Sequence, residues 1–291
     1  MKRCPKCQAE YTSNSWLCPG CGYLPVIHEG FTVLSPELVQ SGIRFPMEAH
    51  SELALLECRN FWFCSRNDLI IWALSRYFSR FNNYLEVGCG TGYVLAGVAR
   101  AFPRVKITGS EVYSAGLSFA AKRVRQAELL LMDARSIPFT EEFDVIAAFD
   151  VLEHIKEDEL VLYEMFRSVR PEGGIIITVP QHPWLWSRQD EYACHVRRYR
   201  VDELSEKLHR IGFHIEFKTS FVSLLLPIMF ISRMVFRNVS SNSDPLSELR
   251  MPTWLNYIFT SVMSLERYLL RSGVRLPVGG SLLIIAKKRS K

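Results

Sequence analysis

The sequence predicts an α/β fold, and three observations carry that prediction. Apolar runs of strand length alternate with segments whose apolar residues recur at helical spacing. The first of those runs, Tyr84 to Val87, leads into a turn with glycine at positions 88, 90 and 92 and then into a helical segment. The 291-residue chain is 48% apolar and 22% charged, with no low-complexity stretch or internal repeat, which excludes a disordered or solenoid protein. At this length one large domain with additions is expected rather than two equal ones.

At the amino terminus, Cys4-x-x-Cys7 and Cys18-x-x-Cys21 form two pairs separated by ten residues. Pro5, Pro19, Gly20 and Gly22 shape turns that let both thiols of a pair face one point. Four thiolates make a closed tetrahedral zinc site with no open position, which means a structural role. The ligand set also admits an iron ion or a labile disulfide pair. Residues 1–25 resemble a small zinc ribbon, too short to fold on a core of its own, so the metal would supply its folding free energy. Cys58, Cys64, Cys89 and Cys194 lack such spacing and read as ordinary semi-buried thiols. No apolar run follows Met1-Lys2-Arg3, so no secretory signal is read, and a cytoplasmic location with reduced or metal-bound cysteines is expected.

Residues 26–45 read as a linker, and 46–291 as the main domain. Ser65 to Phe81 has helical spacing, with Leu69, Ile70, Ala73, Leu74, Tyr77 and Phe78 on its apolar face. After the glycine turn come a helix from Tyr93 to Phe102, a strand from Lys106 to Glu111, a helix from Ser114 to Arg123 and a strand from Glu128 to Asp133. A fourth strand, Phe143 to Asp150, is followed by Val151-Leu152-Glu153-His154-Ile155, then a helix from Glu157 to Val169. Pro171-Glu172-Gly173-Gly174 precedes a fifth strand, Ile175 to Pro180. A helix from Val201 to Ile211, a strand from His214 to Thr219 and a last strand from Ser281 to Ala286 complete the pattern.

Glu86-Val87-Gly88-Cys89-Gly90-Thr91-Gly92 places a carboxylate before alternating glycines. That order differs from the G-x-G-x-x-G of dinucleotide sites and suits a cationic ligand against bare backbone. It resembles motif I of the class I S-adenosylmethionine-dependent methyltransferases, and Asp150 to Ile155 is similar to the family's segment after the fourth strand. The resemblance covers approximately residues 45–220 plus the last strand. It implies a Rossmann-like, seven-stranded, mostly parallel sheet with helices on both faces, the seventh strand antiparallel, and a helical insertion before it. It also implies S-adenosylmethionine as cofactor, with Glu86, Gly88, Gly90 and Gly92 at its aminoacid end. Glu111 would hold the ribose, Asp133 and Ala134 the adenine, and Asp150 the region of the methyl group. Arg66, beside the aromatic Phe61-Trp62-Phe63, either pairs with the methionine carboxylate or lies on the surface.

Residues 181–200 mix aromatic and ionisable side chains to a degree that a structural loop rarely needs. They are expected over the acceptor, with Trp184, Trp186, Arg197, Arg198 and Tyr199 as binding candidates and His195, His154 and Asp190 as catalytic ones. His195 is the candidate general base, since an imidazole can take a proton from a hydroxyl, or else fixes the loop; His154 is a base or a support for its own turn. Arg197 and Arg198 suit an anionic acceptor, or pair with Asp190 and Glu191.

Between Phe221 and residue 278 the chain is apolar and basic. Residues 217–291 hold 11 Lys and Arg against 3 Asp and Glu, whereas residues 1–216 hold 24 against 27. Phe221 to Phe236 is shorter than the roughly 20 residues of a membrane span. This insertion reads as a lid, a dimer face or an element lying in an anionic membrane surface. The expected reaction is in-line methyl transfer, most simply to oxygen, of a small-molecule, glycan or lipid-linked acceptor. The rivals are a non-catalytic cofactor-binding scaffold and a nucleic-acid methyltransferase docking through the ribbon. The second is disfavoured because no Asn/Asp-Pro-Pro-aromatic motif is present.

Overall fold

A computed structural model describes residues 1–37, 47–235 and 250–289. Its centre is a nine-stranded mixed sheet. In chain order the strands are β3 (Ile27–His28), β4 (Phe31–Val33), β5 (Asn83–Val87), β6 (Lys106–Glu111), β7 (Glu128–Leu131), β8 (Phe143–Phe149), β9 (Val169–Pro180), β10 (Phe213–Phe221) and β11 (Ser281–Lys288). Their spatial order is β10-β11-β9-β8-β5-β6-β7-β4-β3. β5 pairs in parallel with β6 and β8, β6 with β7, and β8 with β9. β11 runs antiparallel to both β9 and β10. These are the seven expected strands in the expected arrangement.

The strands read as continuous apolar runs because both faces of the sheet are covered. Along β8, Val145, Ala147 and Phe149 join one core cluster, while Ile146 and Ala148 join the other. Leu283 and Ile285 of β11 point to the first cluster and Leu282, Ile284 and Ala286 to the second. After a first helix α1 (Met47–Leu56), helices α2 (Phe61–Tyr77), α3 (Tyr93–Ala101) and α4 (Ser114–Arg123) pack on one face, and α5 (Asp158–Ser168) and α7 (Val201–Ile211) on the other.

The structure differs from the expected linker at residues 26–45. Residues 27–33 add two strands to the sheet, β4 lying parallel to β7 with Thr32 opposite Leu130. Phe31, Val33 and Leu34 are buried there. Strands this short carry no readable alternation, so only their pairing reveals them. Residues 38–46 lie outside the described residues.

The ribbon, with β1 (Lys2–Arg3) antiparallel to β2 (Glu10–Tyr11), docks where the chain enters β8. The Arg3 guanidinium donates to Glu164 at 3.0 Å, the Thr140 hydroxyl donates to Glu10 at 2.6 Å, and Trp16 meets Phe139 edge-on at 5.4 Å. Its contacts are therefore at the amino-terminal edge of the central strands, opposite the edge that carries the glycine turn.

The insertion supplies α8 (Leu226–Val235) and α9 (Thr253–Arg271). α9 lies against α2, with Phe259 edge-on to Phe61 at 5.1 Å and Arg267 paired to Asp68 at 3.0 Å. The buried Glu266 carboxylate accepts backbone N–H bonds from Val222, Ser223 and Leu224 at 2.6–2.9 Å, tying α9 to the end of β10. The insertion thus covers the sheet, while Trp254, Tyr257, Leu265 and Tyr268 face outward. Among the described residues no helix is long and apolar enough to cross a membrane.

Candidate functional site

The carboxyl ends of β5, β6, β7 and β8 deliver Glu86, Glu111, Asp133 and Asp150 along one edge of the sheet, where open α/β folds bind ligands. The glycine turn sits in the middle of this edge. A side chain at Gly88 would strike Val151 at 2.5 Å, and one at Gly92 would strike the Ala120 backbone at 2.8 Å. A Cβ at Gly90 would meet nothing within 4 Å. Two of the glycines are therefore demanded by the protein's own packing, and the third leaves an open cradle above the backbone. Glu111 closes the turn from below, accepting the Gly90 N–H at 3.0 Å and the Val112 N–H at 2.7 Å. Burial raises the Glu86 pKa to about 8, despite the Tyr84 hydroxyl at 3.1 Å and the nearby Arg66. An incoming cation would favour its ionised form.

Sequence reasoning missed a second brace on this turn. The Thr91 hydroxyl donates to the Glu57 carboxylate at 2.7 Å, and Arg123 donates to Glu57 at 2.6 Å and to the Thr91 carbonyl at 3.2 Å. Its three members are scattered along the chain, so no local pattern could have announced it.

Next to the turn opens a cavity of about 890 Å³. Trp62, Phe63 and Arg66 line one side, and Glu153, His154, His195 and Arg198 line another. Leu225, Met229, Leu255 and Phe259, from the insertion and the loop before it, form an apolar cover. Arg66 is buried rather than on the surface. It is ion-paired with Asp150 and lies over the Trp62 ring at 4.4 Å. Glu111, Asp133 and Ala134 lie outside this cavity, on the adjoining strand ends. Asp133 is held by Arg135, which donates to it at 2.7 Å, and its own N–H donates to Ser35 at 3.0 Å.

The loop after β9 divides its candidates. Asp190, on the short helix α6 (Arg188–Tyr192), accepts His195 Nδ1 at 2.9 Å and Arg198 Nε at 2.7 Å. Burial alone would raise the Asp190 pKa, but those two bonds outweigh it and hold the carboxyl at about 2. With Nδ1 so engaged, His195 turns Nε2 toward Glu153, 3.9 Å from Oε1. The His154 ring stands edge-on to His195 at 4.7 Å, and its pKa is lowered by burial and by His195. Glu153 is fully buried, and neither carboxylate oxygen has a hydrogen-bond partner among the described residues. Burial, reinforced by Asp150, drives its pKa well above the carboxylate range.

Four acceptor candidates lie elsewhere. Tyr199 is a core residue whose hydroxyl donates to Asp158 at 2.7 Å. Arg197 pairs with the same Asp158 at 3.0 Å. Trp184 and Trp186 are largely exposed and do not line the cavity, Trp184 being stacked on His182. Adjacent positions on an extended segment face opposite ways, so Arg198 enters the site while Arg197 and Tyr199 turn from it.

Residues 85–177 match a family model described as a methyltransferase domain. Over 177 residues the chain is 25% identical to a probable S-adenosylmethionine-dependent methyltransferase of Mycolicibacterium smegmatis, covering 59% of this chain and 66% of that protein. Over 114 residues it is 22% identical to the malonyl-(acyl-carrier protein) O-methyltransferase of Priestia megaterium, covering 38% of this chain and 42% of that one. The chain thus spans two thirds or less of either relative's length. Phosphoethanolamine N-methyltransferase 2 of Haemonchus contortus, solved with S-adenosyl-L-methionine, has the same fold, with a TM-score of 0.51 at 19% identity over 75% of this chain and 51% of that one. Residues 85–177, which carry the glycine turn and the row of strand-end acids, thus match a methyltransferase domain and are similar to S-adenosylmethionine-dependent relatives.

Proposed function

We propose that this chain transfers a methyl group from S-adenosylmethionine to an oxygen of an apolar, lipid-linked or similarly hydrophobic acceptor. When bound, the cofactor supplies an electrophilic methyl group on a sulfonium. The open backbone at Gly90 would accommodate it, Glu86 would meet its ammonium, and Glu111 and Asp133 would take the ribose and the adenine. The aromatic segment of α2 shields the pocket from water, and Arg66 is available to the methionine carboxylate if its pairing with Asp150 is exchanged. Holding two reactants in line supplies much of the acceleration in such transfers.

The observation that carries oxygen as the acceptor atom is the wall of Glu153, His154, His195 and Asp190 facing the cavity. A hydroxyl must lose a proton as it is methylated, and this wall gathers groups that can activate it, whereas a free amine needs none. The apolar cover formed by the insertion favours a hydrophobic acceptor, and Arg198 suits an anionic headgroup. The outward aromatic and apolar residues of α9, with the basic excess of residues 217–291, support peripheral contact with an anionic membrane. The four amino-terminal thiols suit structural zinc. The Sγ separations of 3.6 Å for Cys4 to Cys21 and 3.7 Å for Cys7 to Cys18 agree with the edge of a tetrahedron around an ion bonded to sulfur at about 2.3 Å.

Incubation with methyl-labelled S-adenosylmethionine and separate lipid and water-soluble extracts tests the reading. Label should enter the lipid fraction as an ether or ester. His195→Ala should lower turnover by ~100-fold or more while leaving cofactor affinity unchanged. Label on nitrogen, or equal turnover in the variant, would overturn the assignment to oxygen.

A further inference from the structure

We propose that Glu153, His154 and His195 bind a divalent transition-metal ion, which holds the acceptor oxygen in the cavity. Each residue offers one ligand atom, and these atoms all lie within 4.8 Å of one another. Donors bonded to an ion at about 2.0–2.2 Å sit at most about 4.4 Å apart, so a small side-chain adjustment closes the set. The arrangement around the cluster is that of a metal site with its supporting bonds already made. Asp190 accepts the Nδ1 hydrogen of His195 and so presents the Nε2 lone pair, the carboxylate–histidine pairing that orients metal-bound imidazoles. The Val196 N–H donates to the Glu153 carbonyl at 2.7 Å, fastening the His195 segment to the turn that carries the other two ligands.

The burial of Glu153 also favours a bound ion. Asp150 is paired with Arg66, and Asp190 with Arg198 and Arg233. Glu153 lies fully buried among them with both oxygens unpartnered among the described residues. A buried acid without a hydrogen-bond partner holds its proton, and an ion can take that proton's place and satisfy both oxygens. Two imidazoles and one carboxylate suit manganese, iron, cobalt or zinc, with positions left for the acceptor and water. The site is chemically distinct from the four cysteines, whose soft thiolates select zinc and which dock at the opposite edge of the sheet.

The ion's role rests on the methyl-transfer reading, although its binding does not. An acceptor hydroxyl bound to the ion becomes more acidic and releases its proton to solvent. Its oxygen then forms the new C–O bond as the S–CH3 bond breaks, the electron pair remaining on sulfur.

The test is a titration of the chain carrying one equivalent of zinc, enough for the four cysteines alone, with manganese chloride, followed by calorimetry and by the loss of the free-ion electron paramagnetic resonance signal. One ion per chain is expected, bound at least ~10-fold more weakly by Glu153→Gln. Both proteins are also titrated with S-adenosylmethionine, and equal cofactor binding shows that the variant is folded. Absence of manganese binding to the wild type, or equal binding by Glu153→Gln, would overturn the metal site. In that event retained cofactor binding would leave the methyltransferase reading standing.

Discussion

Gly90→Arg should abolish S-adenosylmethionine binding and leave the protein folded. The position has a φ of +52°, where a residue other than glycine costs about 1–2 kcal/mol, an amount a domain of this size can absorb. A Cβ there meets no protein atom within 4 Å, so the new side chain displaces ligand rather than protein. Its guanidinium would fill the cradle and repel a cationic sulfonium beside Glu86. The expected outcome is a loss of affinity of ~100-fold or more, with thermal unfolding shifted by only a few degrees. Gly92→Ala makes the contrast, because its added carbon runs into the Ala120 backbone and should lower stability first. If Gly90→Arg binds the cofactor like the wild type, the turn is not the cofactor site.

Removal of metal from the four cysteines should unfold the ribbon and spare the central sheet. The buried residues of the ribbon's own core are Cys4, Tyr11 and Cys18, with Tyr23 against them. Such a cluster cannot balance the entropy of ordering the segment, whereas zinc bound by four thiolates is worth about 10–16 kcal/mol in ribbon-sized peptides. In hydrogen exchange, amides of residues 1–25 should lose protection after treatment with a chelator or in Cys18→Ser. Those of β5, β8 and β9 should keep it, because their core is built from the two sheet faces. Unchanged protection of residues 1–25 without metal would show that docking through Arg3, Trp16 and Thr140 suffices, and that zinc is not structural.

Much of this fold is legible in the sequence because a sheet covered on both faces writes itself as uninterrupted apolar runs. Val145 to Phe149 and Ile175 to Val179 are read directly, whereas β3 and β4 are too short to show any period and exist only by pairing with β7. The site is legible where its residues are local. Glu86 to Gly92 announces the turn, and Asp150 to His154 the neighbouring strand end. Arg66 and Arg198 are readable as candidates, but whether each points into the cavity depends on packing. Tyr199 shows the difficulty, since its neighbour enters the site while its own ring is buried beside Asp158. The brace formed by Glu57, Thr91 and Arg123, and the role of Glu266 in anchoring the insertion, join residues far apart in the chain. That Glu153 has no side-chain hydrogen-bond partner among the described residues is likewise a property of the assembled site.

The central claim is that the turn and its acid bind a cationic cofactor, and calorimetric titration with S-adenosylmethionine as a function of pH tests it most directly. Burial holds Glu86 protonated below about pH 8 in the free protein, and a cation selects the carboxylate. Affinity should therefore rise by up to ~10-fold per pH unit as pH approaches about 8 and level off above it. At neutral pH, binding should expel about one proton, seen as a heat that depends on the buffer. Micromolar binding with that proton release is the predicted result. A folded wild-type protein that gives no binding at any pH would contradict the account.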